Sequence, residues 1–460
     1  MKGSVTLALI GAALTVAACQ SAPKAPAADL VAASYPLSGP MDANNAADRA
    51  WRDVLRDARL QRLVEMALVE NRDLRLALLD AEEARAQLRV QRSSLLPGID
   101  ARGDVSRTRP GVGEDPQRIR SQASVGLAVT AFELDLFGRL RSQSQSAFQS
   151  WLAAEEGRNA ARIVMISTVA EAYIAERAAE ERLRLTEVTL ADWQTSLRIA
   201  QQLREAGQNS GLEVSQAQGQ VRTAEADLEA AKRGLQIATN ALVLAVGRPL
   251  PDDLPAYMAL AEQPVVTELA AGLPADLLVR RPDVRQAERL LAAANANVDA
   301  ARAAFFPRIS LTGLVGVASG DLNGLFNGGN NTWSFAPQIT VPIFNAGRLQ
   351  GELDIAKIRS DRAVAIYERT VQTAFREVAD GLAGRATFAN QIIALSGAVE
   401  AAERRAELSD LRYKAGVEGR LELLDAQRQL YAARLAMLSL REEQARSSIQ
   451  LYRALGGGVA

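Results

Sequence analysis

Four short stretches of this chain alternate apolar and polar residues with a period of two. They cover about residues 99–108, 122–133, 308–318 and 333–343. This period is typical of a β-strand that has one apolar and one polar face. In the second stretch, every other residue from Val125 to Ala131 is predicted to share the apolar face. Each stretch has about ten residues, the length that a tilted strand needs to cross a bilayer.

Helical periodicity precedes each pair of predicted strands. The stretches Asp73–Leu96 and Asp283–Phe306 are predicted to be helices. Both stop at a proline, Pro97 or Pro307, because the residue before a proline is biased towards extended backbone.

Longer helices are predicted after the strands. Two proline-free stretches run from Gly138 to about Arg204 and from Gly347 to about Lys414. After each stretch the chain turns back, and apolar residues then recur at alternating steps of three and four, from Val214 in the first copy and from Leu423 in the second. Such spacing indicates a coiled coil, so these helices are expected to pack in a helical array.

The whole pattern occurs twice at a constant spacing. Gly138-Arg139-Leu140 returns 209 residues later as Gly347-Arg348-Leu349, and Ala206-Gly207 returns at the same spacing as Ala415-Gly416. The chain is therefore predicted to be a tandem duplication of one unit. The predicted segments are a first repeat at 49–247, an equatorial linker at 248–281, a second repeat at 282–456 and a C-terminal tail at 457–460.

The first residues are predicted to direct secretion. Lys2 precedes the apolar stretch Val5–Ala18, which has the length of a signal-peptide core and is too short to span a bilayer. Residues 1–18 are therefore expected to be removed. Cys19 follows Val16-Ala17-Ala18 as in bacterial lipoprotein signals, so we expect a covalent lipid on Cys19 and a tether over residues 19–48. By analogy with such lipoproteins, the outer membrane is the expected destination. The alternative is an ordinary signal followed by a chance cysteine.

Composition excludes several kinds of chemistry. The chain has no histidine and one cysteine, which removes histidine bases, histidine-ligated zinc, intrachain disulfides and paired-cysteine sites. The net charge of −1 provides no overall attraction for nucleic acid. Acidic residues are scattered along helical faces without a nucleophile and base, so we expect neither an enzyme nor a cofactor other than the lipid.

Four strands are too few to close a barrel. No stretch after the signal reaches 18 apolar residues, so a membrane-crossing part would have to be β. Because an open sheet edge is not tolerated in lipid, several copies would have to pool their strands. Two copies would provide eight strands and three would provide twelve, and the residues do not choose between them. The alternative is a small sheet packed on helices in a periplasmic coiled-coil scaffold.

Three motifs resemble outer-membrane factors of tripartite efflux pumps, in the lipoprotein branch of the TolC family. They are Leu277–Glu288 with Arg280-Arg281-Pro282-Asp283-Val284, Phe305–Leu311 and Val341–Arg348. The resemblance implies a fold that is mainly α with a β-barrel part. A homotrimer would share one twelve-stranded outer-membrane barrel, continued by a coiled-coil tunnel of tandem-repeat helices.

The function that the resemblance implies is the export of drugs or other small toxic molecules. The implied partners are outer-membrane lipids, a periplasmic adaptor protein and an inner-membrane transporter of the RND or ABC type. The channel would open by an iris-like movement of its periplasmic helix ends. An exit duct for secreted proteins is the alternative within transport.

The gate is expected where the helices turn back. Leu421, Asp425 and Arg428 share one helix face at spacings of four and three residues, and their repeat positions are Leu212, Gln216 and Gly219. One interpretation is a solvated Asp425–Arg428 ion pair. The resemblance implies instead that Leu421 and Asp425 form constriction rings in the trimer.

The turns between long and returning helices are rich in glycine, because a helix reversal needs positive φ. The resemblance implies that the adaptor docks against these ends, with Gly207, Tyr413, Gly416 and Leu212 as candidate contacts. Arg280 and Arg281 are expected to make structural contacts in an equatorial belt built from Ala27–Glu70, Arg248–Arg281 and the C-terminus.

Overall fold

The structure is a computed structural model and describes residues 30–32, 34–35, 49–108, 120–208, 210–269 and 280–457. The predicted signal peptide, Cys19 and most of the predicted tether lie outside these residues. Among the residues described, none of the helices is long and apolar enough to cross a membrane.

The two repeats share a leading helix, two strands, a long helix and a returning helix in the same order, and two further helices come before this set in the first repeat. The helices are α1 (Trp51–Val54), α2 (Ala58–Glu70), α3 (Arg72–Ser93), α4 (Arg139–Glu205), α5 (Gly211–Val246), α6 (Pro282–Ala303), α7 (Arg348–Lys414) and α8 (Arg420–Ala454). The strands are β1 (Asp100–Thr108), β2 (Arg120–Leu134), β3 (Arg308–Ser319) and β4 (Asn331–Thr340). The long helices α4 and α7 have 67 residues each, which confirms the predicted uninterrupted helices.

The leading helices end three residues earlier than predicted. Helix α3 stops at Ser93 and α6 at Ala303, and each is followed by a turn in which the last residue before the proline donates back three residues. Leu96 donates to the Ser93 carbonyl oxygen at 3.1 Å, and Phe306 donates to that of Ala303 at 3.2 Å. The cause is the bias of a residue that precedes proline, which disfavours helix before the proline itself is reached.

The strands form one antiparallel sheet in the order β1-β2-β3-β4. Residues paired across strands lie on the same side of a sheet, so the register assigns its two faces. One face is mostly apolar: Val105, Val125, Leu127, Val129, Phe132, Leu134, Ile309, Leu311, Val315, Val317, Trp333, Phe335 and Ile339. The other face is mostly polar: Asp100, Arg102, Asp104, Ser124, Glu133, Ser310, Thr312, Thr332, Ser334 and Gln338.

Two features of the strands differ from the sequence prediction. A bulge between Val129 and Phe132 gives β2 one extra residue, and Ala131 within it has φ of 50° instead of continuing the apolar face. After the bulge the alternation resumes with Phe132 on that face. Strand β4 ends at Thr340 and not at the predicted residue 343, because Thr340 pairs with Arg308, the first residue of β3, and Pro307 comes just before it.

The described residues belong to two compact units. The first unit contains Asp80–Glu155 and Gln286–Arg369, which include the sheet. The second contains Asp29–Leu79, Glu156–Arg285 and Thr370–Ala460, which include both helix reversals. Fully buried side chains of the second unit form its core: Trp51, Leu60, Leu63, Tyr173, Ile174, Leu242 and Leu382. The predicted coiled-coil seam of α5 is buried at Ala217, Val221, Ala224, Ala231, Leu242 and Ala245.

Candidate functional site at the helix reversals

The two reversals, α4 to α5 and α7 to α8, have the same backbone. Gly207 and Gly416 have φ of 72° and 69°, in the left-handed region that favours glycine. Gly207 donates to the Arg204 carbonyl oxygen at 2.9 Å, and Gly416 donates to that of Tyr413 at 3.0 Å. The next residue of each turn bonds five residues back, at 2.8 Å and 3.0 Å, as in a Schellman cap.

The predicted gate residues lie just after these turns. Leu212 and Leu421 occupy equivalent positions in the first turns of α5 and α8, and their side chains are 68% and 57% exposed. Gln216 is half-buried one turn further along α5. An exposed leucine at each tip leaves apolar surface available for another chain or another part of the same assembly.

Asp425 is paired, but not with Arg428. Its Oδ2 accepts from Nη2 of Arg405 on α7 at 2.8 Å and from Nε2 of Gln429 at 2.9 Å. The described structure has no Asp425–Arg428 ion pair, and Arg428 is exposed. The predicted local pair is therefore wrong: the neighbouring antiparallel helix presents a guanidinium within direct reach of the carboxylate. Since both partners are more than 40% exposed, this ion pair is solvated.

Arg420, the first residue of α8, is the functional candidate that sequence reasoning missed. It is 2% exposed, and its Nη2 donates to the carbonyl oxygen and to Oγ of Ser196 on α4, at 3.0 Å and 2.8 Å. Its guanidinium also lies over the Tyr413 ring, 5.5 Å from the centroid. A buried arginine thus joins the reversal of the second repeat to the long helix of the first.

Repeat arithmetic marks Arg420 as a position at which the two reversals differ, but it does not identify Ser196 as the partner. Ser196 and Arg405 occupy equivalent positions in the two long helices, and Arg420 is equivalent to Gly211. Since Gly211 has no side chain, the first repeat cannot make the same contact. Tyr413, a candidate adaptor contact, is half-buried and its hydroxyl lies 3.4 Å from Nη1 of Arg420.

Arg281 makes the structural contacts expected of it. It is buried, pairs with Asp283 at 2.6 Å and Glu377 at 2.8 Å, and donates to the Ala454 carbonyl oxygen at 3.0 Å. Burial alone would lower the pKa of Arg281, but the hydrogen bonds and attraction from the two carboxylates raise it overall. The guanidinium therefore stays charged and holds α6 to the end of α8.

A second buried polar cluster surrounds Asp57, which sequence reasoning also missed. Its carboxylate accepts from the Tyr173 hydroxyl at 2.6 Å and from the backbone N–H of Arg59 and Met258 at 2.7 Å and 2.9 Å. Burial, the hydrogen bond and the charge of Asp57 raise the pKa of Tyr173 well above its usual range. The hydroxyl remains a donor, and the cluster anchors the start of α2 and the segment near Met258 to α4.

The chain matches a known family over most of its length. The family model described as outer membrane efflux protein matches residues 63–248 and 273–457. The toluene efflux pump outer membrane protein TtgI of Pseudomonas putida is 47% identical over 410 residues, covering 88% of this chain and 87% of TtgI. The outer membrane protein OprJ of Pseudomonas aeruginosa is 42% identical over 457 residues, covering 97% and 94%.

Solved structures agree with these matches. The open state of the Neisseria gonorrhoeae MtrE outer membrane channel superposes with a TM-score of 0.88 at 40% identity, covering 96% of this chain and 99% of MtrE. Helices with reversals like these and a four-stranded sheet with one apolar face are thus the architecture of outer-membrane efflux channels. The chain belongs to the outer membrane efflux protein family.

Proposed function

We propose that three copies of this chain form the outer-membrane exit channel of a tripartite pump that exports organic solvents and antibiotics. The observation that carries this proposal is the sheet, with one apolar face and two outer strands that each have a single neighbour. Three copies would join β4 of one to β1 of the next and close a twelve-stranded barrel, which leaves no backbone edge in lipid.

The names of the relatives support the substrate class. TtgI is named for toluene efflux, and an outer membrane protein of Pseudomonas putida that is 44% identical is named for antibiotic efflux. The adaptor and the inner-membrane transporter, of the RND or ABC type, would supply selection and energy. The channel itself would provide a passage, with Gly207, Gly416, Tyr413 and Leu212 near the surface that meets the adaptor.

The gate would be at the helix reversals. Arg420 would act as a latch, because it joins α8 to α4 through Ser196 in a buried contact. Moving α7 and α8 outward would break both hydrogen bonds and expose the guanidinium to water. Leu421, and Leu212 in the first repeat, would narrow the closed opening with apolar surface.

Asp425 would provide the charged part of the gate, with Gln216 as its neutral counterpart and Arg428 free to face the opening. Arg405 compensates the charge of Asp425 in this structure. Three carboxylates near a shared axis would attract cations most strongly when that pairing is lost. Divalent cations would then hold the closed state by bridging carboxylates.

Cys19 would carry the lipid that anchors the mature chain in the outer membrane. The support is its position after Val16-Ala17-Ala18 and the absence of any other cysteine in the sequence. Metabolic labelling with palmitate tests this directly. Label is expected on the wild type, and a Cys19→Ala variant that retains it would contradict the assignment.

Two measurements test the function. In a bacterial strain that lacks its own efflux channel, co-expression with a compatible adaptor and transporter is expected to restore growth in toluene. In planar bilayers, the purified chain is expected to conduct ions. A protein that neither conducts nor restores tolerance with any compatible pump would contradict the proposal.

Bilayer conductance also tests the gate. Arg420→Ala is expected to raise the resting conductance most, followed by Leu421→Ala and Asp425→Ala. The matched control is Arg404→Ala, which removes an exposed arginine of α7 whose ion pair with Glu407 is local.

A Mg²⁺ titration tests the charged part of the gate. Asp425→Asn should weaken the block of the current by Mg²⁺, and Arg405→Gln should strengthen it. Currents that are unchanged in Arg420→Ala and Asp425→Asn would remove the gate assignment.

A further inference from the structure

The junctions between strands and helices carry large apolar side chains, and these fall into two groups. Phe137, just after β2, and Phe306, just before β3, stack on each other with centroids 5.0 Å apart and planes 13° apart. Just after β4, Ile343 and Phe344 are 91% and 89% exposed. Just before β1, Leu96 and Ile99 are 71% and 67% exposed.

The stacked pair follows from the strand order. Strands β2 and β3 are neighbours, and their last pair at this end is Leu134 with Ile309. Phe137 and Phe306 each lie three residues beyond that pair, so the pairing of the strands brings the rings together. The junctions that leave β4 and enter β1 belong to the two outer strands, each of which has a single neighbour in the described sheet, so no second outer strand lies beside them there.

The exposed junctions repeat this arrangement with different residues. Leu96 occupies the repeat position of Phe306, and Ala346 occupies that of Phe137. Phe344 lies two residues before Ala346 and four residues beyond the end of β4, so it supplies the ring that Ala346 lacks. Polar contacts also differ, because Glu133 and Asp135 bind Arg139 and Arg141 after β2, while Pro342 and Phe344 occupy the equivalent positions after β4.

We propose that Phe344 and Ile343 of one copy pack against Leu96 and Ile99 of the next copy, and that this apolar clasp locks each joint between copies. The inference rests on the proposed function, since it uses β4-to-β1 pairing between copies. That pairing places the two junctions side by side, just as β2 and β3 place Phe137 beside Phe306. Four exposed apolar side chains then lose their contact with water at every joint.

Cysteine pairs test the clasp in the full-length chain in outer membranes. Leu96→Cys combined with Phe344→Cys is expected to give cross-linked multimers with a short bifunctional maleimide on a denaturing gel. Phe137→Cys combined with Phe306→Cys is the matched control, and it should cross-link within one chain and keep the mobility of a monomer. Each single variant should give neither product.

Detergent stability provides a second measurement. Phe344→Ser is expected to lower the temperature at which the assembled oligomer dissociates. Phe326→Ser, which removes a ring that is 80% exposed from the loop between β3 and β4, should leave that temperature unchanged. Equal behaviour of the two variants would contradict the clasp.

The possible failures are distinguishable. If the parent chain forms oligomers that conduct, but the Leu96–Phe344 pair stays monomeric after cross-linking, the clasp is wrong and the channel proposal stands. If the Phe344→Cys thiol in the assembled protein reacts fully with a lipid-soluble maleimide, lipid covers this surface and the clasp is wrong. If the parent chain neither assembles nor conducts, the proposed function itself fails.

Discussion

The two tandem repeats place equivalent helices at equivalent residues but hold them with different side chains. In the first repeat, Asn71 donates to the Ala245 carbonyl oxygen at 2.7 Å and accepts from Leu74 N–H. In the second, Arg281 occupies the position of Asn71 and donates to the Ala454 carbonyl oxygen, which is the position of Ala245. The bond that joins leading and returning helices is thus retained while a neutral amide is replaced by a buried charge.

The side-chain contacts at the helix reversals differ between the repeats more than the contacts between leading and returning helices do. The reversals share their glycines and hydrogen bonds, but Arg405–Asp425 and Arg420–Ser196 both use charged residues of the second repeat. The corresponding positions of Arg405, Arg420 and Asp425 in the first repeat are Ser196, Gly211 and Gln216. Duplication therefore retained the geometry, and divergence put the charged links of the candidate gate in one repeat.

The largest difference in the free energy of unfolding between the repeats is expected at the contacts between leading and returning helices. Arg281→Ala leaves Glu377 and the Ala454 carbonyl oxygen without a buried partner, and should lower the free energy of unfolding by about 3–5 kcal/mol. Asn71→Ala removes one hydrogen bond and a helix cap, and should lower it by about 1–2 kcal/mol. Denaturant unfolding followed by circular dichroism measures both. Equal losses would mean that the charge adds nothing to the contact.

The next largest loss of stability is expected at a helix position where the side chains of the two repeats differ in size. Gly381 in α7 corresponds to Ala172 in α4. A Cβ on Gly381 would lie 2.8 Å from Cβ of Leu451, so Gly381→Ala should destabilise the protein by about 1–3 kcal/mol despite the better helix propensity of alanine. Thermal unfolding provides the measurement. A more stable Gly381→Ala variant would show that α7 and α8 separate readily.

The reversals are where the repeats should behave alike. Gly207 and Gly416 have positive φ and open space around them, so only backbone strain opposes a side chain. Gly207→Ala and Gly416→Ala should each cost about 1–2 kcal/mol. Comparing the midpoints of thermal unfolding tests this equality. A much larger cost at one turn would show that the two turns are held differently.

The smallest effect is expected at the exposed ion pair. Removing Arg405 or Asp425 by alanine substitution should change the free energy of unfolding by about 0.2–1 kcal/mol, since both side chains are solvated. Gln216→Ala in the first repeat should have no measurable effect. A double-mutant cycle over Arg405 and Asp425 isolates their coupling, and high salt should abolish it. Coupling that persists in high salt would contradict a solvated pair.

Local patterns predicted the leading helices α3 and α6, the long and returning helices and the four strands, because proline, glycine and the change of period mark their ends. They did not predict α1 and α2. The bulge at Ala131 escaped prediction, since alanine fits either face of a strand and gives no signal in the alternation. The end of β4 was also misplaced, because Val341 and Ile343 continue the apolar pattern past Pro342. In each case the competing information lay in backbone pairing and not in side-chain hydrophobicity.

The candidate site was only partly predictable, and the reason is separation along the chain. The spacing rule for one helix suggested Arg428 as the partner of Asp425, whereas Arg405 lies on the other side of the reversal. Arg420 and Ser196 are separated by 224 residues, so no local rule joins them. Leu421 was selected from the helix face that it shares with Asp425 and from the family resemblance, and Leu212 from the repeat spacing; both side chains are exposed in the first turns after the reversals.

The outer edges of β1 and β4, which have no partner strand in the described sheet, have a consequence for inhibition. In the proposed trimer each copy would offer one β1 edge and one β4 edge, so the joints between copies would be head-to-tail and the ring would close only if every joint formed. A chain blocked at β1 would still present a normal β4 edge, so it would enter such an assembly and then prevent its closure. A compound that binds one strand edge of a single subunit would therefore inactivate the entire channel. For the same reason, a subunit with a defective edge would have a dominant-negative effect on the intact subunits.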